Sequence, residues 1–342
     1  MSSQKLHASP AWKAASDDGP EAPASPLTPR RAAAYLPPPN IESPMAAYAS
    51  LAFLSLLWGS SFLLIKIAAR AFDPFGFALA RVGVAAAALL IGAGLAGPVW
   101  PGRRPGLWVK LAVLSLSGQV IPFLLLGKAA KLASSADMAL MMGASPIFVF
   151  LAGRFAGSGD RWSLRGAVGL AVGFAGVALA LWSPGGQAAA AEHPVAGRAI
   201  ALAAAFCYAM SALVSGAPTR EIGAARAVAA SMTLSTILLA GIGLVLGAHP
   251  SIDDIRAAPG APIAAMAALG VLNTALAYYV YFRLIASEGP TFASLNNYLV
   301  PLIGVMAGAS ALGEPVALTA WSGLALVLAG VALTGSSLRP KR

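Results

Sequence analysis

Within long apolar stretches of the sequence stand a few side chains whose polar ends are costly at membrane depth. They include Trp58 and Ser61 in LLWGSSFLLIK, Arg81, Gln119, Tyr208, Thr274, Tyr278 and Asn296. Their chemistry is recognition rather than bond making. An arginine can hold a carboxylate through two parallel hydrogen bonds, although Arg81 could equally extend its head toward the interface or pair with Asp73. Gln119 could serve a ligand or bond to a neighbouring helix. Tyr278 and Tyr281 share a helical face with Thr274 rather than with Asn273. Asn296 and Asn297 cannot both point the same way, so one could line a site while the other bonds between helices.

Reaction chemistry finds no support. His7, His193 and His249 all lie in the tail or in loops, which leaves no histidine at membrane depth for a Ser-His hydrolase or a metal ligand set. Cys207 is the single cysteine, so no disulfide forms within the chain and no multi-cysteine metal site is available. No GK[ST] sequence of the phosphate-binding kind occurs. We therefore expect no catalytic residues, no metal and no cofactor. Asp137 and Glu314 are the acids nearest the membrane that could carry a proton, and the plainer role for each is a helix cap or loop contact.

The elements that must position these residues are helices. Of 342 residues, 58% are hydrophobic and 11% charged, with a mean hydropathy of +0.75, whereas soluble domains carry roughly a quarter charged residues. A helix crosses the bilayer core in roughly 20 residues. From Ala47 onward ten segments of that order appear, near 47–70, 75–97, 108–129, 133–154, 164–182, 197–217, 226–247, 262–285, 290–312 and 317–337. The turn between the first two rests on Asp73 and Pro74, and a SEGP turn is expected between the eighth and ninth. Residues 1–44, rich in Pro, Ala and Ser, read as a disordered tail with no signal-peptide core. Met45 offers an alternative start directly before the first span.

The net charge of +10 is mainly a signal of topology. With the N-terminus inside, sixteen of the 23 basic residues fall in inner segments and five on outer connections, which places both termini in the cytoplasm. Nucleic acid is not an expected partner; the lipid bilayer and a small-molecule substrate are.

The chain also repeats itself. Shifted by 154, LRGAVGLAVGFAGVAL at 164–179 falls on LTAWSGLALVLAGVAL at 318–333 with nine identities, and shifted by 155, Pro146 falls on Pro301. Trp58 lies opposite Tyr208 at a shift of 150, and Gln119 opposite Thr274 at 155. Five spans per copy is an odd number, so the second copy enters the membrane from the opposite side. The expected fold is an all-α polytopic membrane protein with ten transmembrane helices in two inverted five-helix repeats, at 45–183 and 197–338. A linker at 184–196 joins them, and 339–342 form a basic tail. Inverted repeats with a site near the midplane are a plan of secondary transporters. Paired Pro146 and Pro301 could interrupt their helices at that site, or simply shape packing. Gly166, Gly169, Gly173 and Gly176 share one face of the fifth span, suited to close helix packing within the monomer or between two monomers of a homodimer.

The stretch from Leu272 to Pro315 resembles the EamA branch of the drug/metabolite transporter superfamily, in which a YxxYFxLI helix precedes a small-residue helix with a mid-helix proline and a terminal GE. Here those marks are Tyr278, Tyr281, Phe282, Gly289, Ala293, Ser294, Pro301, Gly313 and Glu314. LLWGSSFLLIK resembles the family's first span and Arg81 the arginine of its second. The first half departs from the pattern, with SGD ending at Asp160 where GE would stand. The resemblance covers about residues 47–338. It implies a secondary transporter that moves small metabolites, commonly amino acids or related compounds and often outward, across an inner membrane by alternating access. The candidate site residues are then Trp58, Ser61, Arg81, Gln119, Pro146, Tyr208, Thr274, Tyr278, Asn296 and Pro301. A lipophilic-cation exporter and a small-molecule channel are the alternatives.

Overall fold

The computed structural model describes residues 44–94, 102–155, 164–182, 194–248, 259–293 and 295–337. Expectations for nearly all of the tail, for most of the linker and for the basic end fall outside the described residues. Among the described residues there is no strand. Where water is absent every backbone N–H and C=O must find a partner inside the chain, and a helix provides one for each.

The first repeat contains α1 (Pro44–Ala68), α2 (Pro74–Gly94), α3 (Pro105–Ser115), α4 (Ile121–Leu132), α5 (Ser135–Met142), α6 (Ser145–Phe155) and α7 (Leu164–Leu181). The second contains α8 (Pro194–Ile222), α9 (Ala224–Leu246), α10 (Gly260–Gly270), α11 (Ala277–Ala293), α12 (Asn296–Leu312) and α13 (Leu318–Ser337). Four of these helices open on proline, which fits the first turn because its missing N–H would have no helical partner there. Asp73 caps α2, its Oδ1 accepting from the N–H groups of Phe75 at 2.8 Å and Gly76 at 3.0 Å. Ser134 and Asp137 form a reciprocal capping box at the start of α5.

Among the described residues six helical rods are long and apolar enough to cross a membrane: Met45–Ala68, Pro74–Gly92, Pro105–Leu132, Pro194–Ile222, Ala224–Leu246 and Gly260–Leu284. Ser135–Val149, Leu164–Ala180, Leu299–Leu312 and Leu318–Leu333 are shorter apolar helices.

Two of the long rods share an irregularity. Leu116–Val120, between α3 and α4, and Val271–Leu276, between α10 and α11, are π-helical. The shift of 155 that relates the repeats carries Leu116 onto Val271. A π turn inserts one residue into the helical hydrogen-bond pattern and is frequent at functional sites. Each copy therefore opens its third helix at the same point.

Two boundaries depart from expectation. The backbone stays helical through SEGP, and α11 ends only at Ala293. A proline inside a helix removes one hydrogen bond and bends the rod without having to end it. The expected fourth span breaks between Met142 and Ser145, which makes Pro146 the second residue of α6, while Pro301 lies inside α12. The prolines align in sequence but hold different positions in their helices. A methyl group added at Gly143, in the break, would sit 3.2 Å from Cγ of Pro301.

The glycine stripe packs within the chain. α7 pairs along its length with α13, its counterpart in the second repeat. A Cβ on Gly330 would lie 2.5 Å from the backbone N of Gly173, and one on Gly176 would lie 2.7 Å from the N of Val327. Only glycine lets the two backbones approach so closely. Two of the buried apolar clusters among the helices meet at Tyr208. One holds Phe62, Ile65, Met138, Met141 and Val305, the other Val82, Phe123, Met232 and Leu239.

Candidate functional site

Arg81, from the middle of α2, is the centre of a buried polar cluster. Only 5% of the residue is exposed. Its Nε donates to Oγ1 of Thr274 at 3.1 Å, and its guanidinium carbon lies 4.0 Å from the centroid of the Phe123 ring. Nη1 is buried and has no hydrogen-bond partner. The Thr274 hydroxyl donates in turn to the carbonyl of Leu269, five residues back, at 2.7 Å. The π turn between α10 and α11 thus presents the threonine oxygen to Arg81 while keeping its proton occupied.

The matching π turn of the first repeat supplies Gln119. Its Oε1 accepts from Oγ of Ser235 on α9 at 3.3 Å, and its side chain lies close to the Tyr278 hydroxyl. Tyr208 and Tyr278 both stand close enough to the guanidinium to interact with it electrostatically. Tyr278 meets the Trp58 ring edge to face at 5.7 Å, and Tyr281 stacks at a tilt on the same tryptophan at 5.1 Å. Five expected site residues, Arg81, Gln119, Tyr208, Thr274 and Tyr278, are therefore gathered at one place, with Trp58 at its edge.

The other expected residues lie elsewhere. Ser61 turns its hydroxyl onto the carbonyl of Trp58 in its own helix at 2.6 Å. Asn296 accepts from Ser55 at 2.7 Å, which ties the start of α12 to α1. Asn273, next to Thr274, donates to the Leu57 carbonyl and to Oγ of Ser60 on α1. Pro146 is half-buried at the start of α6, and Pro301 is buried near Gly143. Phe123 and Ser235 belong to the cluster although residue type did not single them out. Their signal is spacing: Phe123 is four residues beyond Gln119, and Ser231 and Ser235 are four apart on α9, so each pair shares a face.

Arg81 has no counter-charge among the described carboxylates. Asp73 caps α2. Asp137 binds Nε of Arg198 at 2.9 Å. Glu221 pairs with Lys110. Glu314 accepts from the N–H of Ser135 at 3.0 Å, the Ser135 hydroxyl at 2.7 Å and the N–H of Ala136 at 3.0 Å, and so caps α5 from the far end of α12. Nearby, Lys66 donates to the carbonyls of Ala130 at 2.8 Å and Ala133 at 2.6 Å, and Lys131 to that of Ala69. These groups tie together the ends of α1, α4, α5, α8 and α12 on the side where α1 finishes. No group of three or more His, Cys, Asp or Glu side chains gathers as a metal site among the described residues.

Comparisons with known proteins agree with a duplicated membrane chain. The model of the EamA-like transporter family matches twice, over residues 45–182 and 195–336. An uncharacterized transporter of Archaeoglobus fulgidus is 28% identical over 293 residues, covering 83% of this chain and 95% of that protein. The uncharacterized inner membrane transporter YedA of Escherichia coli K12 is 23% identical over 298 residues, covering 84% and 89%. One solved crystal structure superposes with a TM-score of 0.59 at 21% identity over 85% of this chain and 96% of that one, a likeness of fold.

Proposed function

We propose, for a chain that belongs to the EamA-like transporter family, a secondary carrier that moves small metabolites by alternating access around the Arg81 cluster. That the protein is a membrane transporter of this type follows from the family; substrate, direction and mechanism are our reading. In it the four shorter apolar helices join the six long ones as ten membrane crossings, and both termini lie in the cytoplasm. The cargo is an amino acid or related compound, moved outward across the inner membrane.

One observation supports this reading above the rest. Each repeat breaks its third helix at the equivalent π turn, and each turn delivers one polar side chain, Gln119 or Thr274, to the same buried cluster. An interrupted helix in each half, meeting at midplane, is how inverted-repeat carriers build a site that both sides of the membrane can reach in turn. The ties at the end of α1 would hold the site shut on that side, and their release would open it.

Counterflow in proteoliposomes tests this. Vesicles preloaded with unlabelled substrate should accumulate labelled substrate transiently above equilibrium, because a carrier exposes one side at a time. A channel gives no such overshoot. A lipophilic-cation exporter requires a buried acid to balance its cargo, and Asp137 and Glu314 are both committed to caps and a salt bridge.

A further inference from the structure

We infer that Arg81 is the docking point for a monoanionic carboxylate, which rests on the carrier reading above and narrows its cargo from amino acids to related acids that carry no ammonium group. The starting fact is an imbalance of charge. Arg81 is nearly fully buried, its Nη1 has no partner, and no described carboxylate reaches it. A buried charge without a counter-ion is strongly unfavourable. Arginine cannot relieve that cost by losing its proton. Thr274 contributes one hydroxyl oxygen and Phe123 a ring face, and neither carries a charge.

A ligand can supply what the protein lacks. One negative charge neutralises the site, whereas a dianion overshoots it. A zwitterion brings an ammonium group beside a guanidinium and leaves the balance uncorrected. A carboxylate also matches the planar fork of guanidinium N–H groups. Trp58 and Tyr278, meeting edge to face, provide an apolar wall for the rest of the molecule. Because Nη1 is shut off from solvent in this arrangement, the acid reaches it only when the surrounding helices part.

The test uses the purified full chain in detergent and measures binding by thermal shift and isothermal titration. The probes are 3-phenylpropionate, 4-methylpentanoate, 3-phenylpropionamide, phenylalanine and phenylsuccinate. At least one of the two monoacids should bind saturably. Phenylpropionamide, phenylalanine and phenylsuccinate should each bind roughly 10- to 100-fold more weakly than phenylpropionate, the range set by one charged hydrogen-bonded pair. Arg81→Gln should lose acid binding by a similar factor, and Arg81→Lys should restore part of it. The inference is overturned if neither monoacid binds, if acid and amide bind alike, if phenylalanine or phenylsuccinate binds more tightly than phenylpropionate, or if a folded Arg81→Gln protein binds the acid as wild type does. The comparison of acid with amide needs no variant, so it stands even where Arg81→Gln fails to fold. Counterflow of the bound acid separates the two claims. Selective acid binding with no counterflow sinks the carrier and leaves the anion site, while counterflow indifferent to the carboxylate does the reverse.

Discussion

Two buried arginines, each with its surroundings, are treated in opposite ways in this molecule. At the end of α1, Arg198 has Asp137, Glu314 has three donors, and Lys66 has two helix-end carbonyls. In the middle, Arg81 has one hydroxyl and one aromatic face. The two arginines, Arg198 and Arg81, are both buried, although Asp137, Glu314 and Lys66 are only partly so, so burial alone does not distinguish the arginines. Completeness does. A fully answered charge holds helices together, whereas an unanswered one is a standing demand for a partner.

Breaking the answered set should cost the most. Asp137→Ala leaves the Arg198 guanidinium, 2% exposed, without its carboxylate and removes half of the α5 capping box. We expect a loss of about 3–5 kcal/mol, read as a large fall in the thermal unfolding midpoint in detergent. Glu314→Ala takes one acceptor from three donors at the start of α5 and should cost about 1.5–3 kcal/mol. Thr274→Val removes the hydroxyl that accepts from Arg81 and takes a donor from the Leu269 carbonyl, for about 1 kcal/mol, with transport impaired more than stability. Arg81→Gln sharpens the contrast most. Its stability should stay within about 1 kcal/mol of wild type, because the residue removed is a buried charge without a counter-ion, yet transport should be lost. A destabilisation by Arg81→Gln as large as that by Asp137→Ala would erase the distinction.

How far these features could be read in advance depends on how local they are. The apolar runs, the duplication and the turn at Asp73 are written in consecutive residues, and the helices follow them. The polar set is marked by residue type alone, because Arg81, Gln119, Thr274 and Tyr278 are costly in lipid wherever they point. Gln119, Thr274 and Arg81 were expected in one site, but a π turn leaves no mark in composition, since it changes only which carbonyl each N–H reaches, so the local geometry that presents the first two was not legible. Asn296 and Ser61 look the same in sequence as Gln119, yet they spend their polar ends on α1. The ties at the end of α1 join residues 61 to 179 positions apart, and no spacing rule reaches that far. The SEGP turn misled for the opposite reason: its turn residues are a local preference that the continuing helix overrode.

The central claim, that one buried and unanswered arginine is the working centre of an alternating-access carrier, is tested most directly by counterflow. Wild type and Arg81→Gln are reconstituted at equal density into vesicles preloaded with a panel of amino acids and monocarboxylates, and uptake of the matching labelled compounds is followed. Wild type should show transient accumulation above equilibrium with at least one compound, and the variant none. Label that equilibrates regardless of the internal load, or wild-type counterflow by Arg81→Gln, would contradict that claim.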